Sequence, residues 1–428
     1  MAKELHELQE LEERVILVAV ETDERNSRSA METDACLDEL AELVKTAGAV
    51  TVARTVQKRE RIHPGHYLGK GKIEELKEMA AAYEATGVVC DDELSPAQLK
   101  NLEQMLGLKV MDRTIVILDI FAARALSGEG KIQVELAQLK YRLSRLTGMG
   151  ASMSRLGGGI GTRGPGEKKL ETDRRYIKER IAELNREAQD IRTHRELLRA
   201  QRSKKGTPVI SLVGYTNAGK STILNFLSDA GVLAEDKLFA TLDTTTRKVE
   251  LPGGSEILLT DTVGFIQKLP HHLVQAFRAT LEELQFADIL LHVVDASDPN
   301  RAEHMQVVYQ TLQELGCEDT PVITVFNKMD REIELPLPMD ARAREIVQVS
   351  AAQGDGMETL LATVERLLQS FRKSMQVLLP YTEGGLLGWV HGRCEILREE
   401  HTAEGVLLEV YVDEESANRL ARFVYQQG

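Results

Sequence analysis

No run of about 18 consecutive apolar residues interrupts the 428-residue chain, so the sequence gives no signal for a membrane-spanning helix. Its first residues, Met1-Ala-Lys-Glu-Leu-His-Glu-Leu-Gln9, are charged and lack the apolar centre of a secretory signal; none is expected. Cysteine is sparse as well. Cys36, Cys90, Cys317 and Cys394 lie too far apart for the close pairs of a zinc site, and four in so long a chain make no disulfide framework. A reduced, cytoplasmic location is the simplest reading, with partial association with a membrane surface left open. The single tryptophan, Trp389, reads as a core residue rather than a contact. Basic residues are outnumbered: the net charge of -14 excludes a chain that coats nucleic acid over its whole surface. The deficit is uneven, however. Between Lys140 and Lys205 stand 18 Lys and Arg against 8 Asp and Glu, a net of +10 that leaves -24 for the remainder, as expected of one basic segment directed at a phosphate backbone.

At this length one core does not suffice, and about three domains are expected. Residues 1 to about 130 alternate short apolar runs (15–20, 49–53, 87–90 and 108–111) with helical patterns (34–45, 71–85 and 96–106), which predicts an α/β unit with a mainly parallel sheet. Ser95 before Pro96 places a helix cap beside an N1 proline. His63, His66 and Asp91-Asp92-Glu93 share no metal-ligand spacing and read as solvated loop.

A helical hairpin is expected over 131–205. Ile132, Leu136, Leu139, Leu143 and Leu146 recur at intervals of 4 and 3, and Ile177, Ile181, Leu184, Ala188, Ile191 and Leu198 keep that alternation on a second arm with Arg195 filling one position, a coiled-coil seam on each. Between the arms, 148–166 holds eight glycines with Arg155 and Arg163 and almost no bulky side chain, predicting a flexible basic tip. Small residues allow close approach to an RNA backbone, and Arg155, Arg163, Lys168 and Lys169 are the candidate contacts. The competing reading of this stretch is a plain linker.

Gly214-Tyr215-Thr216-Asn217-Ala218-Gly219-Lys220-Ser221 fits G-x-x-x-x-G-K-S, with the apolar run 209–213 before it and a helical pattern from Thr222 after it. Strand, glycine turn and helix start aim backbone N–H groups at one point, which suits phosphates. Lys220 is expected to reach the β and γ phosphates and Ser221 to ligate Mg²⁺. Further on, the run 257–260 ends in Asp261-Thr262-Val263-Gly264, a carboxylate for the metal's water shell and a glycine N–H for the γ-phosphate. Asn327-Lys328-Met329-Asp330 follows another apolar run; the Asp330 carboxylate can accept from the N1–H and 2-amino groups of guanine, which adenine does not offer. Ser350-Ala351-Ala352 would set a backbone N–H against the guanine carbonyl. In the hydroxyl-rich segment Phe239-Ala240-Thr241-Leu242-Asp243, Thr241 is the preferred second Mg²⁺ ligand and Thr245 the runner-up. Phe265, where many GTPases place a water-orienting Gln, has no group for that task, so slow unassisted hydrolysis is expected. Asn217 is the residue type found there in potassium-activated GTPases, making K⁺ a candidate activating cation. The reaction itself is assigned to Lys220, Thr241, Gly264 and Asn217. An α+β unit over 373–428, with strands at 375–379 and 405–412 and a helix at 414–423, closes a plan in which 206–372 forms the P-loop GTPase domain.

Together with Tyr67-Leu-Gly-Lys-Gly-Lys72, Asp92-Glu-Leu-Ser-Pro-Ala-Gln98, Asp112-Arg-Thr114, Gln133-Val-Glu-Leu-Ala-Gln-Leu139, Arg163-Gly-Pro-Gly-Glu167, Asp173-Arg-Arg175 and Lys268-Leu-Pro-His-His-Leu273, these residues resemble the HflX family of the Obg/HflX group of P-loop GTPases, over roughly residues 60 to 370. The resemblance implies a GTPase, monomeric when free, that binds the large ribosomal subunit, directs the glycine tip toward the rRNA of the peptidyl transferase centre and splits stalled or hibernating ribosomes. A GTP-timed assembly or hibernation factor without splitting activity is the alternative. The chain departs from the family pattern at Thr244 and Ser144, where proline is usual, and at Lys168, where a small hydroxyl residue is usual.

Overall fold

The computed structural model describes residues 12–22, 30–153, 165–203, 207–228, 238–239, 245–268, 281–371, 373–412 and 414–425. The first unit is built on β1 (Arg14–Thr22), a strand buried almost throughout, as an apolar run without polar alternation requires when both faces are covered. In chain order follow α1 (Ala30–Thr46), β2 (Val50–Arg59), α2 (Lys70–Ala82), β3 (Gly87–Cys90), α3 (Pro96–Leu106), β4 (Lys109–Asp112) and α4 (Arg113–Arg124). The sheet order is β2-β1-β3-β4, every pair parallel. Alternate β1 residues feed opposite layers: Val15, Leu17 and Ala19 pack with α1 and α4, while Ile16, Val18 and Val20 pack with α2 and α3. At α3 the Ser95 hydroxyl accepts from Gln98 N while the Gln98 side chain accepts from Ser95 N, a complete capping box worth about 1 kcal/mol.

The hairpin is α5 (Gly128–Met153) against α6 (Pro165–Ser203). On α6 the seam residues Ile177, Ile181, Leu184, Ala188 and Ile191 are withdrawn from solvent between exposed neighbours, as their 4-3 spacing predicts. Arg180 closes the two arms with paired bonds to Glu135, at 2.8 and 3.1 Å. One expectation needs correction: the glycine tip does not begin at Gly148 or last to Gly166. The helix α5 continues through Gly148 and Gly150, and α6 has started by Pro165. Two helical glycines cost about 1 kcal/mol each, and their neighbours Met149, Ala151 and Met153 are good helix formers that add little further cost. At 39 residues, α6 spans roughly 58 Å. Arg155 and Arg163 lie outside the described residues, and Lys168 and Lys169 lie on the first turns of α6.

The face of α5 turned away from α6 was not anticipated. Val134, Ala137 and Tyr141 belong to the same hydrophobic cluster as α1 and α4, so this arm is seated in the core of the first unit.

A second sheet has the order β10-β9-β8-β5-β7-β6. Its elements are β5 (Val209–Gly214), α7 (Lys220–Ser228), β6 (Thr245–Glu250), β7 (Glu256–Asp261), β8 (Ile289–Asp295), α8 (Arg301–Glu314), β9 (Val322–Asn327), β10 (Glu345–Gln348) and α9 (Met357–Phe371). All neighbours are parallel except the charged edge strand β6, which runs antiparallel to β7. Last come β11 (Lys373–Leu379), α10 (Gly384–Arg393), β12 (Glu395–His401), β13 (Val406–Val412) and α11 (Glu414–Leu420), with an antiparallel sheet β11-β13-β12. Trp389 packs against this core, with the Arg419 guanidinium 4.4 Å from its ring centre. No helix among the described residues is long and apolar enough to cross a membrane.

Candidate functional site

The phosphate-loop sequence occupies the turn from β5 into α7, and two of its glycines are there for reasons of space. A Cβ on Gly214 (φ +154°) would lie 2.2 Å from the carbonyl oxygen of Val293, and one on Gly219 (φ +95°) 2.1 Å from Asn327 Nδ2. The Asn327 side chain needs that room. Its Nδ2 donates to Ala218 O at 2.9 Å and its Oδ1 accepts from Ala351 N at 3.0 Å, tying the phosphate loop to the segment 350–352. Asn217 is exposed with φ +61°, and Ala218 is buried.

Lys220 is folded back into the loop, donating to the carbonyls of Gly214 (3.0 Å) and Tyr215 (2.8 Å). Burial pushes its ammonium down to about 8, with Asp261 opposing and Lys328 reinforcing the shift. Next to it the Ser221 hydroxyl donates to Asp261 Oδ2 at 2.6 Å, and Thr222 follows on the first turn of α7. Two hard oxygen donors side by side fit Mg²⁺, which Ser221 would ligate directly and Asp261 through its water shell. Bound there, the ion would neutralise charge on phosphate oxygens. Thr245 heads β6 and stands opposite Asp261 in the ladder. Ala240, Thr241, Leu242 and Asp243 lie outside the described residues.

Beyond β7, Thr262 donates to Leu212 O at 2.6 Å, and Phe265 crosses to the phosphate loop through Thr216 N to Phe265 O (2.8 Å) and Phe265 N to Gly214 O (3.1 Å). Gly264 has to be glycine: a Cβ would stand 2.8 Å from Thr216 Cα. Phe265 itself is buried, 3% exposed, so its ring packs inward.

At the far end of the sheet, Asp330 is exposed and accepts from Ser350 Oγ at 2.6 Å, a bond that holds its carboxyl below the usual range. Lys328, at φ +63°, pairs with Asp295 at 2.6 Å, and Met329 N donates to Val349 O. Ser350 and Ala351 are buried whereas Ala352 is exposed.

Two residues expected at the nucleotide turn their side chains into the interior. Phe239, expected at the nucleotide, is 2% exposed and lies edge-on to Phe121 of α4 at 4.7 Å; with Leu238, Val263 and Ile266 it belongs to the core of the first unit. Its apolar ring gains more from that core than from a polar phosphate, which leaves only its backbone for ligand. Tyr215 stacks on His304 at 3.7 Å, and its hydroxyl donates to Glu39 Oε2 of α1 at 2.7 Å and accepts from Gln267 N at 2.8 Å. A cavity of about 240 Å³ is lined by the phosphate loop from Tyr215 to Ala218 together with α1 and His292.

On the joint between the two sheets, the burial and pairing of residues known from the sequence only as a loop or as motif letters become visible. Asp91 and Asp92, expected as solvated loop, are 2% and 9% exposed. Asp91 pairs with Arg113 at 2.9 Å and with Lys268; Asp92 accepts from Tyr67 Oη at 2.8 Å. Arg113, itself 2% exposed, also pairs with Glu39 at 2.5 Å and donates to Gln267 O at 3.2 Å. Burial opposes its charge, but Glu39 and Asp91 more than offset that and hold the guanidinium ionised. One residue earlier, Asp112 caps α4 and accepts from Tyr141 Oη (3.0 Å) and Arg145 Nη2 (2.6 Å), both on α5. These partners lie 22 to 177 residues apart, so no local pattern reveals them. Neighbouring charges at strand ends were the one available signal. His63 Nδ1 caps a turn by accepting from Gly65 N and His66 N; no cluster fit to hold a metal occurs among the described residues.

Four family models match the chain in series. They are described as GTP-binding GTPase N-terminal (34–122), GTP-binding GTPase Middle Region (124–202), 50S ribosome-binding GTPase (209–328) and HflX C-terminal domain (339–427). A GTPase HflX of Lacrimispora saccharolytica is 57% identical, covering 98% of this chain and 98% of that one; another, of Caldanaerobacter subterraneus subsp. tengcongensis, is 47% identical over 98% and 96%. Among solved structures, a GTP-binding protein of Sulfolobus solfataricus in complex with GDP is 23% identical, covering 83% of this chain and 98% of that one at a TM-score of 0.44, too loose an overlap to add weight. With full-length identity this high and a phosphate loop, Ser221–Asp261 pair and Asp330 cradle in place, the chain belongs to the HflX family of GTPases.

Proposed function

We propose that this GTPase acts in the cytoplasm on the large ribosomal subunit, using GTP to drive a long cationic hairpin against rRNA near the peptidyl transferase centre and so to split stalled or hibernating ribosomes. The observation that carries this reading is the seating of the hairpin. Its first arm is held through Asp112, Tyr141 and Arg145 in the unit whose next residue, Arg113, reaches the loop after Gly264. A basic arm so mounted is suited to report the state of a nucleotide site at a distance, whereas a tether needs no such seat. The four stretches 1–130, 131–205, 206–372 and 373–428 then divide the work into grip, finger, switch and a tail whose role is not assigned.

Within the switch, Lys220 holds phosphate oxygens, Ser221 and Thr241 ligate Mg²⁺, the Gly264 N–H senses the γ-phosphate and Asp330 selects guanine. Because Phe265 is buried and has no polar group, hydrolysis depends on what the ribosome adds and on a monovalent cation at Asn217. Hydrolysis rates measured with large subunits should be higher in K⁺ than in Na⁺; equal rates would remove the cation. The test of the whole reading is light scattering of intact ribosomes mixed with the protein and a non-hydrolysable GTP analogue. Scattering should fall as subunits separate. Particles that bind the protein yet stay joined would leave a GTP-timed assembly or hibernation factor instead.

A further inference from the structure

Gln267 is gripped at both of its peptide groups. Its N–H donates to Tyr215 Oη at 2.8 Å, and its carbonyl accepts from Arg113 Nη2 at 3.2 Å. Glu39 joins the two grips, one carboxylate oxygen accepting from Arg113 (2.5 Å) and the other from Tyr215 (2.7 Å). Arg113, Glu39, Tyr215 and Gln267 thus form a closed hydrogen-bonded ring across two sheets. The next residue, Lys268, adds an ion pair to Asp91, the carboxylate that Arg113 Nη1 also holds.

The ring stands three residues beyond Gly264, and that distance gives it its meaning. Since the side chain at position 265 cannot orient water, what the segment brings to the reaction is the placement of its backbone. That backbone already runs within a Cβ's reach of Thr216, so it has little freedom to shift toward the loop. We propose that Arg113 and Tyr215, bridged by Glu39, are positioning residues for GTP hydrolysis, holding the segment 264–267 in register with the phosphate loop. The inference rests on the family's GTPase activity alone and is independent of ribosome splitting. Half of the ring comes from the first unit, so that unit bears directly on the geometry of the phosphate site.

Tyr215→Phe tests this most cleanly, because the ring and its stack on His304 stay while both hydroxyl bonds go. Arg113→Lys keeps the charge but cannot span Asp91, Glu39 and Gln267 O together. In the full-length chain each variant should lower kcat for GTP about 10-fold, given that misplacements of about 1 Å cost about 100-fold. GDP affinity, read by a fluorescent GDP analogue, should stay within about twofold. The double variant should be no worse than the poorer single, since a ring is broken only once. Three results would each overturn the proposal: kcat within twofold of wild type in both singles, losses that multiply in the double, or GDP affinity falling in step with kcat. If Arg113→Lys does not fold, Glu39→Gln takes its place in the cycle under the same criteria.

Discussion

Asp112→Asn offers the sharpest check on how the hairpin is seated. Each oxygen of this fully buried carboxylate serves two donors: Oδ1 takes Ile115 N (3.1 Å) and Tyr141 Oη (3.0 Å), and Oδ2 takes Leu94 N (3.1 Å) and Arg145 Nη2 (2.6 Å). An amide of the same shape accepts on one side only. With its oxygen kept toward Ile115 the helix cap survives, but the –NH₂ then confronts Leu94 N–H and the Arg145 guanidinium, which is 14% exposed. Breaking a buried ion pair by removing one partner costs about 3–5 kcal/mol, against a total domain stability of about 5–15 kcal/mol. Asp112→Ala loses the cap as well, adding about 1 kcal/mol. Tryptophan fluorescence would miss this, because Trp389 lies on α10 and packs against the C-terminal core. Hydrogen exchange read by peptide mass spectrometry is the suitable assay. Amides of 94–124 and the first turns of α5 should exchange about 150-fold faster or more, a tenfold change for each 1.4 kcal/mol, while β11–β13 stay as protected as before. Less than about threefold acceleration at 94–124 would mean that the charge contributes nothing and that packing alone seats the hairpin.

Lys220 gives a pH test. With a pKa depressed from 10.5 to about 8, the nucleotide-free fold gains stability as pH rises from about 8 toward 10.5 and loses it as pH falls back through 8. Phosphates need the charged form, so GDP affinity should weaken up to about tenfold per pH unit above 8, with proton uptake on binding visible as a buffer-dependent heat; a flat profile to pH 9.5 would refute the buried ammonium. Asp330→Asn should lower GTP affinity by about 100-fold or more and raise that for xanthosine triphosphate, whose C2 carbonyl accepts where guanine donates; competition binding with both nucleotides reads this out, and unchanged preference would dissociate Asp330 from the base. Arg155→Ala combined with Arg163→Ala should weaken large-subunit binding and flatten its salt dependence with GTP affinity intact. Sedimentation at two salt concentrations decides it, equal slopes reducing the tip to a linker.

Local chemistry made much of this legible in advance. The strand Gly87–Cys90 and helix Pro96–Leu106 coincide with their sequence patterns, because glycine, Ser-Pro and a capping box punctuate them within a few residues. The hairpin seam was equally plain, since its 4-3 spacing is a property of one helix at a time. Two kinds of feature were hidden. Gly148 and Gly150 read as breakers although a helix can absorb their cost where its neighbours favour it. The buried pairings of Asp91, Arg113 and Asp112 are of the second kind, because their partners come from distant segments. A buried carboxylate at a strand end looks, in sequence, the same as a solvated one, and only the arrival of Arg113 and Lys268 distinguishes Asp91.

What the fold adds is a constraint on how nucleotide state can reach the hairpin. The arm α5 shares its core with α1 and α4, and that core takes in Tyr215, Leu238, Phe239, Val263 and Ile266 from the loops around the phosphate site. Close-packed interiors do not deform smoothly. A shift of the segment 263–268 on GTP binding or hydrolysis must therefore either be absorbed locally, by breaking the contacts of Gln267 and Lys268, or be passed to α4 through Arg113. Because Asp112 and Arg113 are adjacent, α4 cannot follow Gln267 without also moving the carboxylate that holds Tyr141 and Arg145. The first outcome would release the hairpin unit from the switch, and the second would turn it. Both make this charged joint, rather than the phosphate loop itself, the part of the molecule on which the proposed coupling between GTP and the hairpin would depend.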